Sequence, residues 1–155
     1  MQAWGPVVLR LAVGVVFIAH GAQKLFGFGG GGGPSGTAAF FAQLGLTPAY
    51  PLALVVGLVE FLCGLLLVGG AFTGVSAALL TATMVVAVWK VHAPNGFFLN
   101  WTNAPGQGHG YEFHLVLLGA LVALILSGPG ALSVDARRLR SAESLAAGRA
   151  RLRQG

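Results

Sequence analysis

Apolar residues occupy most of this chain in four long stretches, which shorter polar or glycine-rich segments separate. The hydrocarbon core of a bilayer is about 30 Å thick, and a helix of about 20 apolar residues crosses it. The pattern predicts such helices at about residues 6–26, 48–68, 71–91 and 111–126. We therefore predict an all-α membrane protein, a bundle of four transmembrane helices.

Composition and charge agree with this prediction. Of the 155 residues 55 % are apolar and only 8 % are charged, whereas soluble domains carry about 25 % charge. Seven of the nine basic residues would lie on the side of the termini, where positive charge is typical of the cytoplasm; they are Arg10, Arg137, Arg138, Arg140, Arg149, Arg151 and Arg153. Both termini are therefore predicted to be cytoplasmic, with residues 1–136 as the transmembrane domain and 137–155 as a basic tail. We expect this tail to be solvated or bound to lipid headgroups, with docking to a soluble partner as the alternative, and we expect no nucleic-acid binding.

Two longer loops are predicted on the outer side. The first, residues 27–47, begins with a glycine tract that we interpret as a flexible linker, followed by a short interfacial helix over about 37–44. The second, residues 90–110, is rich in asparagine and aromatic residues. Its length favours a functional loop or a lid over a passive connection.

Ionisable residues within the apolar stretches identify a candidate site, because each costs roughly 2.5–3.5 kcal/mol at mid-bilayer. On the second helix, Glu60 shares a face with Ala53, Gly57 and Gly64, and small residues let a neighbouring helix approach. Glu60 is therefore predicted to point into the bundle. Similar stripes are predicted for the other helices; they comprise Arg10, Gly14, Phe17, Gly21 and Lys24, then Ala77, Thr81, Met84, Val88 and His92, and then Glu112, Gly119 and Ala123.

These stripes would gather a polar cluster in the outer half of the bundle. The residues expected to bind a ligand or relay protons are His20, Lys24, Glu60, His92, Asn95 and Glu112, with Arg10 and Lys90 as secondary candidates. Arg10 is expected to extend to the inner headgroups, and His114 to face away from Glu112 at the interface. The alternative for each residue is a buried ion pair that only fixes helix register.

Other chemistries fit the sequence less well. His109, Glu112 and His114 offer metal ligands, but helical spacing separates the last two by about 200°, so no metal site is assigned. No haem, flavin or iron–sulfur motif is evident. Cys63 is the only cysteine and is interpreted as a small buried hydrophobe.

Several motifs together resemble the DoxX family. The first helix contains Arg10, Gly14, Phe17, His20-Gly21 and Lys24-Leu25-Phe26-Gly27, and Glu60 with Gly64 follows in the second. Further matching segments are His92 with Asn95-Gly96-Phe97-Phe98, Glu112, and the closing Gly128-Pro129-Gly130-Ala131-Leu132-Ser133-Val134-Asp135. The resemblance implies a four-helix protein of the prokaryotic inner membrane. It also implies relatives that include a subunit of a thiosulfate:quinone oxidoreductase and a membrane partner of oxidative-stress enzymes.

Three functions remain open at this point. The leading hypothesis is a membrane subunit of a quinone-linked redox system, which binds a quinone or similar amphipathic ligand and acts with a soluble redox partner rather than as an enzyme alone. A small transporter or export component would use the same cluster, and a homodimer packed through Gly14 and Gly21 or Gly57 and Gly64 would suit it. The third possibility is a membrane anchor for a soluble enzyme.

Overall fold

The structure, a computed structural model, describes residues 3–152. Six α-helices lie within this part of the chain: α1 Gly5–Phe26, α2 Gly33–Gln43, α3 Ala49–Gly69, α4 Thr73–Ala87, α5 Glu112–Ser127 and α6 Val134–Leu152. A π-helical turn, Val88–His92, and a 3-10 turn, Ala93–Asn95, continue α4. Among these residues all regular secondary structure is helical.

Three helical stretches are long and apolar enough to cross a membrane. They are Gly5–Phe26, Ala49–Gly69 and Thr73–Asn95. The apolar helix α5 has 16 residues, which at 1.5 Å per residue is about 24 Å. It is shorter than the bilayer core of about 30 Å.

Helices α1, α3, α4 and α5 form a closed ring. Helix α1 packs against α3 and α5, and α4 packs against the same two helices. Helix α2 lies across α1 and α3 at the end of the ring where the two long connections are. We call this end, with residues 27–48 and 96–111, the loop end; the opposite end, with residues 3–5, 70–72 and 128–135, is the terminal end.

Glycines bring α1 and α3 into direct backbone contact. A Cβ atom on Gly14 would lie 2.8 Å from the carbonyl oxygen of Gly64, and one on Gly64 would lie 2.8 Å from the backbone nitrogen of Ile18. Such distances leave no room for a side chain. The glycine stripes expected to serve a homodimer therefore pack against each other within one chain.

The predicted inward stripe of α3 is confirmed. Ala53, Gly57, Glu60 and Gly64 are all buried. Between the helices lies an apolar core that every member of the ring shares; it comprises Val13, Phe17, Cys63, Leu67, Ala77, Leu80, Met84, Leu117, Leu121 and Leu124.

The predicted inward stripe of α5 is wrong. Leu117, Leu121 and Leu124 are buried, whereas Gly119 is exposed. Large aliphatic side chains gain more from burial in the core than a glycine does, and this difference decides the rotation of α5. The prediction followed the small residues, which in this helix face outward.

The position expected for Arg10 is also wrong. This side chain is only 1 % exposed, and its guanidinium donates hydrogen bonds to three carbonyl oxygens, those of Leu67 at 3.4 Å, Ala131 at 2.9 Å and Leu132 at 3.4 Å. The Leu67 carbonyl also accepts from the backbone N–H of Gly70, and the planar donor group of Arg10 joins this end of α3 to the closing segment by bonding several carbonyls at once. Arg10 thus fastens the terminal end and does not extend to headgroups.

Asp135 completes this fastening. Its two carboxylate oxygens accept hydrogen bonds from the backbone N–H groups of Phe72 and Thr73, both at 2.9 Å, and so cap α4 from a distant part of the chain. Burial alone would raise the pKa of Asp135, but these hydrogen bonds and the nearby Arg138 outweigh it, and the pKa lies below its usual range.

The first long connection is more ordered than a linker. Residues 28–30 form a 3-10 turn, and α2 begins at Gly33, within the glycine tract. Pro34 suits a first helical turn because it needs no N–H partner there, and the hydroxyl of Thr37 donates to the carbonyl of Gly33 at 2.8 Å.

The tail is helical from Val134 to Leu152, so the predicted boundary after residue 136 falls inside α6.

Candidate functional site

A cavity of about 730 Å³ occupies the loop end of the bundle. Helices α1 to α5 all contribute to its wall, as do the two long connections. Sixteen of its 24 lining residues are apolar. The polar members are His20, Lys24, Glu60, Thr83, Lys90, His92, His109 and His114, which include all four histidines of the chain.

An ion pair between α1 and α3 forms one side of the cavity. The Nζ atom of Lys24 lies 2.6 Å from Oε2 of Glu60. The side chain of Glu60 is 3 % exposed and that of Lys24 is 23 % exposed, so the ammonium group is the more accessible partner. The pair is possible because Gly57 lets α1 approach closely: a Cβ atom on Gly57 would lie 3.2 Å from the Cβ of Lys24.

Two stacked imidazoles form another side. The rings of His92 and His114 have centroids 3.7 Å apart and an interplanar angle of 30°. His114 was expected at the interface, facing outward. It faces the cavity because the rotation of α5 that buries Leu117, one turn further on, brings His114 inward as well.

Hydrogen bonds determine the tautomers of two histidines. Nδ1 of His92 lies 2.9 Å from the carbonyl oxygen of His109, so it carries the hydrogen, and Nε2 of the neutral ring is an acceptor. Nδ1 of His109 accepts from the backbone N–H of Asn100 at 3.2 Å, so Nε2 of that neutral ring is a donor. The cavity wall therefore has a ring-nitrogen acceptor on His92 and a ring-nitrogen donor on His109.

The π-helical turn after α4 explains how Lys90 reaches the cavity. A regular helix would place Lys90 opposite the inward stripe of α4, whereas the extra residue of a π turn rotates the following side chains. Both Lys90 and His92 line the cavity as a result. The Lys90 ammonium also lies 4.4 Å from the ring centroid of Trp89, a cation–π distance.

The second long connection is an ordered loop that side-chain hydrogen bonds hold in place. The carboxylate of Glu112 accepts from the backbone N–H of Leu99 at 2.9 Å, and the amide of Asn95 donates to the carbonyl oxygen of Val91 at 2.8 Å. Asn100, which is buried, donates to the carbonyls of Ala104 and Gln107. The loop is thereby held across the loop end, with Leu99 and His109 lining the cavity.

The structure thus brings together four of the six residues that the sequence predicts for the site. His20, Lys24, Glu60 and His92 line the cavity, as does the secondary candidate Lys90. Glu112 and Asn95 are not among the described residues that line the cavity. Glu112 bonds the backbone of Leu99 in the second connection, and Asn95 bonds the backbone of Val91 in the turn before it. Arg10 is at the terminal end.

Sequence reasoning missed several wall residues. His109 and His114 were considered only as metal ligands or as interfacial residues, and among the residues that the structure describes no cluster of ligands fits a metal ion. Phe40 and Phe41 of α2 and Phe113 of α5 were not considered. The aromatic content of these loop-end segments was a usable signal, because ligand pockets are predominantly apolar and aromatic.

The ring of long apolar helices around a partly polar cavity defines the class of protein, a helical integral membrane protein with an internal cavity. The DoxX family model matches residues 5–93, and the chain belongs to that family.

Relatives agree with this membership. The chain is 35 % identical to an uncharacterized membrane protein of Mycobacterium tuberculosis over 95 % of its own length and 91 % of the relative's. It is 30 % identical to the Bacillus subtilis protein named "Putative oxidoreductase CatD", covering 84 % of each chain. It is also 30 % identical to the inner membrane protein YphA of Escherichia coli, over 85 % of this chain and 91 % of that one. No solved structure matches the chain. The protein is a multi-pass protein of the prokaryotic inner membrane.

Proposed function

We propose that this protein is a membrane subunit of a quinone-linked redox system, and that the cavity at the loop end binds the quinone. The observation that carries the proposal is the composition of that cavity, in which an apolar wall surrounds an ion pair and four histidines. The Bacillus subtilis relative whose name includes oxidoreductase supports this proposal by similarity.

The residues present fit a quinone head group. A volume of about 730 Å³ lies within the 300–1,000 Å³ of small-molecule pockets. The two carbonyl oxygens of a quinone require donors, which Lys24 and Nε2 of His109 supply. The hydroxyl groups of a quinol require acceptors, which Glu60 and Nε2 of His92 supply.

A bound quinone supplies two-electron, two-proton chemistry, and the side chains of this protein manage the protons. The carboxylate of Glu60 and the accessible ammonium of Lys24 exchange a proton within their 2.6 Å contact. His92 bonds the carbonyl oxygen of His109 and stacks on His114, so these imidazoles connect the cavity to the second long connection. Electrons come from or pass to a soluble redox partner.

We also propose that α5 crosses the membrane, so that the chain spans it four times with both termini in the cytoplasm. Closure of the ring by α5 against α1 and α4 supports this topology, as does the excess of basic residues at the terminal end. Cysteine substitutions at Ser141 and Thr102, labelled from either side of spheroplasts, test it. Ser141 should react only from the cytoplasm and Thr102 only from outside; the reverse pattern contradicts the topology.

A direct test of the function is to purify the protein gently from its own membranes and measure bound quinone by mass spectrometry after solvent extraction. We expect close to one quinone per chain, and little in a double variant, Lys24→Met with Glu60→Leu, which removes both polar partners. Wild-type protein that contains no quinone and binds none when a soluble benzoquinone is titrated contradicts the proposal. Substrate flux in proteoliposomes that stops in the same variant would instead identify a transporter.

A further inference from the structure

The cavity reaches the lipid-facing side of α4. Leu79, Ala82 and Val86 are spaced by three and four residues and so share one helix face, and all three are exposed, Leu79 by 46 % and Val86 by 43 %. Leu79 lies outside the described lining of the cavity, whereas Ala82 and Val86 belong to it. The outward stripe of α4 thus becomes cavity wall as it approaches the loop end.

The facing wall comes from the first turns of α3. Leu52 and Val56 line the cavity and lie one helical turn apart. Towards the terminal end the same two helices are in tight contact, since Leu67 of α3 and Ala77 and Leu80 of α4 are fully buried in the shared core. Core side chains therefore fill the space between α3 and α4 near the terminal end, whereas near the loop end both helices line the cavity.

At the loop end, where the bundle would face water, the cavity is lined by Phe40 and Phe41 of α2 and by Leu99 and His109 of the second connection. Lys24 belongs to α1, which lies across the ring from α4, and its partner Glu60 belongs to α3. A ligand with its polar head at these groups would extend an apolar part between α3 and α4 into the acyl chains.

We propose that the gap between the outer turns of α3 and α4 is a lateral portal, bounded by Leu52, Val56, Ala82 and Val86, through which the ligand enters from the bilayer and its hydrophobic tail remains outside the cavity. This inference rests on the proposed function and specifies its substrate class. The site takes lipid-soluble quinones with a long tail, and the tail contributes to binding through contact with the portal.

A bulky side chain in the portal tests the inference. Ala82→Trp narrows the gap from α4, and Val56→Trp narrows it from α3. Ala78→Trp is the matched control, because Ala78 is exposed on the same helix one turn away and lies outside the described cavity lining. The probes are a dimethoxy-methyl-benzoquinone without a tail and the same ring with a decyl tail, and the dissociation constants are measured by calorimetry in nanodiscs.

We expect Ala82→Trp to raise the Kd of the decyl quinone about tenfold or more, because the indole occupies the space that the tail needs and overpacking has an effect of this order. The Kd of the tailless ring should change less than about twofold, and Ala78→Trp should change neither. If Ala82→Trp does not yield folded protein, Val56→Trp gives the same comparison.

The outcomes separate the two proposals. Wild-type protein that binds both quinones, with portal variants that leave both constants unchanged or weaken both equally, overturns the portal and leaves the proposed function standing. Wild-type protein that binds neither quinone overturns the proposed function and the portal with it.

Discussion

Substitution of Lys24 by methionine isolates the ion pair of the cavity. It leaves the carboxylate of Glu60, 2 % exposed, without its 2.6 Å partner in a mainly apolar wall. Removing one member of a buried pair costs about 3–5 kcal/mol. Because the side chain of Lys24 is 23 % exposed, we expect the lower limit, about 3 kcal/mol of unfolding free energy.

The double variant with Glu60→Leu shows whether the charge itself is responsible. Replacing both partners by apolar side chains of similar size is often nearly neutral, so we expect it within about 1 kcal/mol of wild type. The coupling energy in the double-mutant cycle should then exceed about 2 kcal/mol. Lys90→Met is the matched control, because Lys90 lines the same cavity and its described contact is with the Trp89 ring; it should cost about 1 kcal/mol or less.

Reversible unfolding in mixed micelles titrated with SDS measures the free energy of unfolding of wild type, of the two single variants and the double variant in the cycle, and of Lys90→Met. The reasoning is refuted if the double variant is as unstable as Lys24→Met, or if Lys90→Met costs as much as Lys24→Met. Either result would show that the cavity solvates an isolated carboxylate well, and that the pair contributes little to holding α1 against α3.

Three further predictions concern the fold. Gly64→Ala should lower the free energy of unfolding by about 2 kcal/mol through overpacking. Gly119→Ala should not lower it, because the new Cβ atom meets nothing within 4 Å. Equal effects in the same micelle titration would contradict the backbone contact of α1 with α3. Arg10→Met removes the donor for three carbonyl oxygens and should cost about 3 kcal/mol or more, and a shift below about 1 kcal/mol in thermal unfolding would argue against the fastening. Asp135→Ala should cost about 1 kcal/mol at neutral pH through the lost cap of α4. Because the folded pKa of Asp135 is depressed, its contribution is present above the unfolded pKa of about 3.9 and is lost as pH falls through the lower folded pKa; a difference from wild type that persists at pH 2 would contradict this.

The amino-acid sequence by itself determined the class and the main helices of this protein. Long apolar stretches with 8 % charge have no stable alternative to membrane helices, because lipid demands that each backbone group be paired within its own segment. The inward direction of Glu60 was also predictable, since burying a charge away from lipid and beside small residues is favourable whatever the neighbouring helices are. The same rule placed His20, Lys24 and His92 at the cavity.

Tertiary structure decided the features that depend on competition between neighbours. The rotation of α5 follows from three leucines filling the shared core, which turned His114 inward, whereas Glu112 bonds the loop. The carbonyls that meet Arg10 come from segments distant in sequence, and the π-helical turn that directs Lys90 into the cavity departs from the regular helical period, so helix periodicity reports neither. The cavity depends on how α1 to α5 are spaced, and helix periodicity reports faces but not the distances between them.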